Sequence, residues 1–348
     1  MDEISTIGLD IAKNVFQVHG VDGAGTVVVR RQLRRAELLK FFGSLPACTV
    51  GIEACATSHH WARQIAELGH RVRLLPPAHV KPYVKRGKKN DAADAAAICE
   101  AVTRPHMRNV PVKTEAQQAM LLLHRARDLL VRQRTMLICA LRSHMAEFGV
   151  TAGQGRGNFT KLAASLESEA ALPELARTAL RVIATQIDDA NAKIETLEKE
   201  IVARHRHDEA SRRLATIPGI GPIIASALAA SVPDASAFKS GRQFAAWLGL
   251  VPRQNSTGGK ERLGGITKAG DRYLRKLLVV GATGHIRYKR KTIPGGIEWV
   301  AKLLARKPVR LVTVALANKM ARIAWAILSR GEIYRHADAA VDTQPAFA

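Results

Sequence analysis

Over residues 5 to 102 the spacing of apolar residues switches repeatedly between two periods, and that switching restricts the fold more than any other feature. In "STIGLDIA" (5 to 12), Ile7, Leu9 and Ile11 recur at every second position, the period of a half-buried β-strand. "VFQVHGV" and "TVVVRRQL" flank the turn "DGAG" and read as a hairpin. "RRAELLKFFGSL" is helical, "CTVGIEA" (48 to 54) is a buried strand, and "HHWARQIAELG" is an amphipathic helix. A strand "RVRLLPP" (71 to 77) follows, then a helix opened by "NDAADAAAICEAV" and stopped near Pro105. The predicted order is β-β-β-α-β-α-β-α, an α/β domain built on one sheet.

From about residue 115 the period becomes wholly helical. "EAQQAMLLLHRARDLLVRQRTMLICALRSHMAEFG" carries Leu123, Leu130 and Leu137 at sevenfold spacing, with arginines at 125, 127, 132, 134 and 142. After the Gly-rich break "GVTAGQGRGN", a second long helix starts near Pro173. There Leu180, Ile183, Ile187, Ala190, Ile194, Leu197 and Ile201 keep the 3-4 alternation of a coiled-coil seam. Such helices pair within a chain or across a dimer, and their arginines suit a scaffold and a nucleic-acid-binding role equally; Arg125 and Arg132 are the candidate phosphate contacts. Beyond about residue 211 the chain reads as an α-rich domain. Its "LATIPGIGPIIASALAASV" resembles a helix-hairpin-helix, whose turn, here Gly219 and Gly221, would aim backbone N–H groups at a DNA phosphate. The expected divisions are 1–108, 109–208, 209–335 and a tail, 336–348.

The charge names the class of partner. With 53 Lys+Arg against 30 Asp+Glu, the formal net charge is +23, which favours polyanions through counterion release and steering. A membrane is not expected: no run of about 18 apolar residues occurs, and "MDEISTIGLD" starts with acids rather than a basic leader. A soluble intracellular protein is expected. Cys48, Cys55, Cys99 and Cys139 form no C-x-x-C pair and have no matching histidine spacing, so a zinc finger is not expected. Aromatic residues make up 5% of the chain, too few for a platform of stacked bases, so recognition should lean on phosphates.

Against this basic background four acids stand out. Asp10 lies mid-strand among apolar neighbours and Glu53 near the end of another apolar strand, settings where an ionised side chain needs a partner. Asp91 and Asp94 are three residues apart on one helical face, where capping is the simplest role for each. Active groups of an open sheet collect at strand ends and on the helices that cover them. Four carboxylates meeting there would repel one another unless cations neutralised them, and Mg²⁺ takes oxygen ligands and orients phosphate; two such ions would support in-line displacement at phosphorus. Glu100, two turns beyond Asp94, reads as a surface or salt-bridge residue.

These segments, "GLDIAK", "GIEACATSHHWA" and "KNDAADAAAI", together with "PGIGPIIASALAA" and "FAAWLGLVPRQNSTGGKERLGGITKAGDRYLR", resemble the DEDD insertion-sequence transposases, relatives of the Piv-type DNA invertases, over nearly the whole chain. The resemblance implies an RNase H-like (RuvC-like) N-terminal domain whose acids Asp10, Glu53, Asp91 and Asp94 bind Mg²⁺, two ions per site with Mn²⁺ as a substitute. It also implies donor and target DNA as substrates, a noncoding guide RNA, a dimer or tetramer, and action in the bacterial cytoplasm on the nucleoid.

The segment "VPRQNSTGGKERLGGITKAGDRYLR" (251 to 275) joins hydroxyls, glycines and cations in a loop before a basic helix. On the residues alone it is first a phosphate cradle, with Ser256 and Thr257 as alternative nucleophiles and Arg253, Lys260, Arg262 and Lys268 placed to stabilise phosphate charge. The resemblance implies that Ser256 is the essential serine, forming a phosphoserine link to DNA, in a site that protomers share. Three readings compete: an RNA-guided recombinase with a serine nucleophile, a metal-dependent junction nuclease that uses water, and a non-catalytic scaffold whose acids only cap helices.

Overall fold

Strands β1 (Thr6–Ile11), β2 (Val15–Val21) and β3 (Val27–Arg34) form an antiparallel meander. On the other side of β1, β4 (Thr49–Glu53) and β5 (Arg71–Leu75) add in parallel, giving the sheet order β3-β2-β1-β4-β5. This computed structural model describes residues 3–84, 90–153, 155–166, 171–289 and 298–335. The chain divides into two compact units, Met1–Glu115 and Ala116–Ala348.

In the first unit α1 (Leu38–Gly43) leads from β3 to β4, α2 (Ser58–Glu67) from β4 to β5, and a short α3 (Pro77–Val80) precedes α4 (Asp91–Val102). Period-two alternation splits the sheet into two faces. Ile7, Leu9, Val50 and Ile52 are buried in one core with Leu38 and Phe42 of α1 and Trp61 and Ile65 of α2. Ala97, Ile98, Ala101 and Val102 of α4 form a second core with Leu75 and Val80. The mixed sheet with helices on its faces is consistent with the expected RNase H-like domain.

The second unit is mostly helical. Helices α5 (Glu115–Ala146, whose first residue belongs to the first unit), α6 (Arg156–Ala164) and α7 (Glu174–His207) share one apolar cluster, including Leu141, Met145, Leu162, Leu180 and Ile187. Arg127 Nε donates to Glu198 Oε1 at 2.8 Å and Arg134 donates to Asn191 Oδ1 at 3.0 Å, so numbering rises on α5 as it falls on α7. The two long helices are therefore antiparallel within one chain. Helix α6 lies where only a Gly-rich break is predicted; Leu162 and Leu166 give it an apolar edge that closes the end of the helical pair.

The remaining elements are α8 (Glu209–Ala215), α9 (Pro222–Ser231), α10 (Gly241–Trp247), β6 (Pro252–Gln254), β7 (Leu263–Ile266), α11 (Arg272–Lys289), α12 (Glu298–Leu304) and α13 (Val309–Arg330). Gly219, between α8 and α9, has φ +88°, and a Cβ on Gly281 of α11 would come within 2.3 Å of the Gly219 carbonyl oxygen; bare backbone thus lets this turn meet α11. Among the described helices α13 alone is long and apolar enough to cross a membrane, but Val312, Leu316, Met320, Ala324 and Ile327 are buried in the core of this unit.

His124 of α5 is fully buried, with Nδ1 3.1 Å from the Tyr273 hydroxyl of α11 and Nε2 3.0 Å from the Ser226 hydroxyl of α9. Burial, with help from Arg127, lowers its pKa from 6.5 to about 4, so it joins three helices as a neutral ring. An unfolded chain takes up this proton below its ordinary pKa and the fold does not. The contribution of His124 is therefore complete above pH 6.5 and lost as pH falls towards 4. Thermal unfolding of the wild type and His124→Gln, followed by circular dichroism, should show the wild-type advantage shrinking by about 2 kcal/mol between pH 7 and pH 5.

Candidate functional site

Two glycines, one on each of two neighbouring strands, position the acids of the first unit. Gly8 of β1 stands opposite Gly51 of β4 in the parallel register, and Asp10 and Glu53 each lie two residues further along, on the same face. Helix α4 rests on that face. A Cβ on Gly8 would lie 2.2 Å from the Ala95 carbonyl oxygen and 2.4 Å from the Cys99 nitrogen, and one on Gly51 would lie 2.8 Å from Val102 Cβ. With Cys99 against β1 and Val102 against β4, the helix brings its first turn, with Asp91 and Asp94, towards the strand ends that carry Asp10 and Glu53.

The four carboxylates feel one another. Burial, and then the charges of Asp94, Asp91 and Glu53, raise the Asp10 pKa from 3.8 to about 6. Burial and Asp94 raise that of Glu53, and burial with Glu53 and Asp10 raises that of the Cys55 thiol beside them. Neither aspartate of α4 is its N-cap: Asn90 fills that position, accepting from the Ala93 N–H at 2.7 Å. Among the described residues no ion pair includes any of the four acids. Glu100, by contrast, pairs with Arg104, as expected of a surface residue.

Oxygen donors carrying excess negative charge suit a hard divalent cation. Among the described residues no three His, Cys, Asp or Glu side chains are drawn together tightly enough to hold a metal as they stand. Closing these four around one point without a cation would increase a repulsion that already perturbs Asp10. Gly8 and Gly51, which seat the helix, are absent from the predicted site residues, although the paired spacings "GLD" and "GIE" carry the signal.

Ser256 belongs to the second unit. It lies between β6 and β7, an antiparallel hairpin where a loop is predicted; strands of three and four residues, rich in glycine, leave little periodicity to read. The base of the hairpin is clamped. Thr267 N–H donates to the Val251 carbonyl at 2.9 Å, Asn318 to Leu250 at 3.0 Å, and Arg275 to the carbonyls of Leu248 and Ala269 at 2.9 and 2.7 Å. Gly249 and Gly270, both at positive φ, let the two ends of this base touch. At the tip Ser256 Oγ accepts from the Arg262 N–H at 3.3 Å, and Gly258 and Gly259 turn the chain through positive φ.

The cations predicted around the serine divide by position. Arg253, Lys260 and Arg262 are exposed on the hairpin, and Lys268 follows β7 with a left-handed φ of 56°. Arg125 and Arg132 are exposed on α5, and Arg132 pairs with Asp128 at 3.4 Å. Close packing on α11 accounts for Gly219, whereas Gly221 is exposed at the start of α9.

Two variants test the acid site without an activity assay. Gly8→Ala forces a methyl group into backbone and should cost about 3 kcal/mol in chemical denaturation. Because Asp10 holds its proton more tightly in the fold, its stabilising contribution is present below pH 3.8 and lost as pH rises through about 6. Asp10→Asn should therefore raise the thermal midpoint in metal-free buffer near neutral pH, and this gain should vanish near pH 4.

Comparison with known proteins identifies the family. A family model of IS110-type DEDD transposases matches residues 7–149, and one described as "Transposase IS116/IS110/IS902 family" matches residues 211–294. A Pseudomonas aeruginosa protein named a probable family 20 transposase is 52% identical over 95% of this chain and 99% of its own length. The transposase for insertion sequence element IS1328 of Yersinia enterocolitica is 41% identical over 96% and 99%. That for IS1111A of Coxiella burnetii is 40% identical over 96% and 92%. The chain belongs to the IS110/IS116 family of DEDD transposases, enzymes that cut and rejoin DNA with divalent metal ions.

Proposed function

We propose that this transposase breaks DNA through a covalent phosphoserine intermediate, with Ser256 as nucleophile and Asp10, Glu53, Asp91 and Asp94 as ligands of two Mg²⁺ ions. The observation that carries the reading is the presentation of Ser256: exposed at the tip of a clamped hairpin, its oxygen oriented by the Arg262 N–H, with Arg253, Lys260 and Arg262 on the same hairpin. Mg²⁺ held by Asp10, Glu53, Asp91 and Asp94 would supply Lewis-acid stabilisation of the charge that develops on a scissile phosphate. Ser256 Oγ gives up its proton to solvent water and bonds to phosphorus, while the bond from phosphorus to the leaving sugar oxygen breaks and that oxygen takes up a proton from water. The cations stabilise the extra phosphate charge. A second DNA hydroxyl then displaces the serine, so strands are exchanged without net hydrolysis.

Several features of the chain accompany this reading. The charge of +23 and the exposed Arg125 and Arg132 fit a guide RNA in addition to DNA. The turn between α8 and α9, with Gly221 exposed, acts as a helix-hairpin-helix phosphate contact, and α5 with α7 forms a coiled-coil arm of a dimer or tetramer. The first unit serves as a RuvC-like catalytic domain, and the second holds both a helical middle and a C-terminal transposase domain, working on the nucleoid in the cytoplasm.

Incubation with DNA carrying the ends of the element and its noncoding RNA, followed by denaturing gels, tests the reading. A protein–DNA adduct should form, disappear in Ser256→Ala and persist in Thr257→Ala. Hydrolysed ends that persist in Ser256→Ala would overturn the serine step. Asp10→Asn and Asp94→Asn should slow adduct formation by about a hundredfold or more, and omission of the RNA should reduce it to background.

A further inference from the structure

Beside the serine hairpin lies a groove of about 920 Å³ in the second unit, walled by Pro252, Gly264 and Ile266 of the hairpin region and by an outward face of α13. That face explains why α13 is apolar almost all round: Val312, Leu316 and Met320 fill the core, whereas Leu311, Val314 and Ile323 line the groove. Trp299 stands at the groove 39% exposed, and Leu311 is 55% exposed. Trp325 lines the same groove, with its indole N–H donating to the Ala235 carbonyl at 3.2 Å. Arg242, Lys319 and Arg322 supply positive charge, and among the described residues no acid lines the groove.

We infer that this groove seats one unstacked nucleotide of the DNA strand bound at the hairpin, with the base against Trp299 and the phosphates on Lys319, Arg242 and Arg322. The inference rests on the reading of the hairpin as the DNA-cleaving element. An apolar, aromatic trough whose described charged residues are all cations complements a flat base joined to an anionic backbone, and it does not complement a second copy of this basic surface. Lys319 Nζ sits 4.7 Å from the Trp299 ring centroid. An exposed cation–π contact is weaker than a base stack, so an incoming base takes the ring and the ammonium turns to the phosphate. The low aromatic content excludes a platform for many bases, but a seat for one needs a single indole.

The test uses the full chain and two probes at fixed salt: a short oligodeoxythymidylate and an abasic oligodeoxyribose phosphate of the same length. Fluorescence anisotropy should show the wild type binding the thymidylate about tenfold more tightly than the abasic strand. Trp299→Ala should erase this preference and Trp299→Phe should restore most of it. Leu311→Glu, at a solvent-facing position, should weaken both probes by placing an acid in the groove, and it serves should Trp299→Ala unfold. Equal wild-type binding of the two probes, a preference that survives in Trp299→Ala, or no effect of Leu311→Glu would each overturn the inference. Neither probe carries an element end, so the result is independent of adduct formation, and either reading can fail alone.

Discussion

Helix α4 approaches the sheet more closely than side chains on β1 and β4 would permit. Gly8 and Gly51, paired across adjacent strands, present bare backbone to Ala95, Cys99 and Val102, and every other feature of the acid site follows from that contact. Strand alternation then places Asp10 and Glu53 on the helix side, two residues beyond each glycine. The direction of the helix sends Asp91 and Asp94 towards the same end. Asn90 takes over the cap, so the two aspartates are not committed to helix-end N–H groups. The packing of α4 on the two glycines keeps the carboxylates near one another despite the mutual repulsion that raises the Asp10 pKa.

Much of the first unit was legible because each strand and helix there satisfies its own period. "STIGLDIA", "CTVGIEA" and "NDAADAAAICEAV" become β1, β4 and α4 with boundaries close to those predicted. The acids stood out because ionisable residues in apolar strands are costly. Their supports did not. A glycine chosen for close approach looks, in one sequence, like a glycine chosen for a turn, and only the strand register shows that Gly8 and Gly51 face one helix. The β6–β7 hairpin escaped for a different reason: its order comes from Arg275, Asn318 and the Gly249–Gly270 contact, not from the propensity of its own residues. Helix α6 was hidden by the Gly-rich composition just before it.

The second unit fixes the base of the hairpin that carries Ser256. A flexible glycine-rich loop loses much conformational entropy when it is fixed in one place, and the clamp at its base restricts this one in advance. The clamp draws on helices α11 and α13, and α11 is tied in turn to α5 and α9 through Tyr273, His124 and Ser226. Position is thus passed to the hairpin through the neutral His124 bonds to Tyr273 and Ser226 and then through the Arg275 guanidinium and the Asn318 amide, which donate to backbone carbonyls at its base. Helix α13 itself divides into buried and groove-lining faces.

The proposed function requires Asp10, Glu53, Asp91 and Asp94 to act as one cation-binding unit seated by α4. Calorimetric titration of the metal-free protein with Mg²⁺ near neutral pH measures this directly. Saturable binding is expected in the wild type, weakened at least about tenfold in Asp10→Asn and equally in Asp94→Asn, since each would remove one ligand from a shared site. Wild-type affinity retained in Asp94→Asn, with only Asp10→Asn impaired, would contradict it.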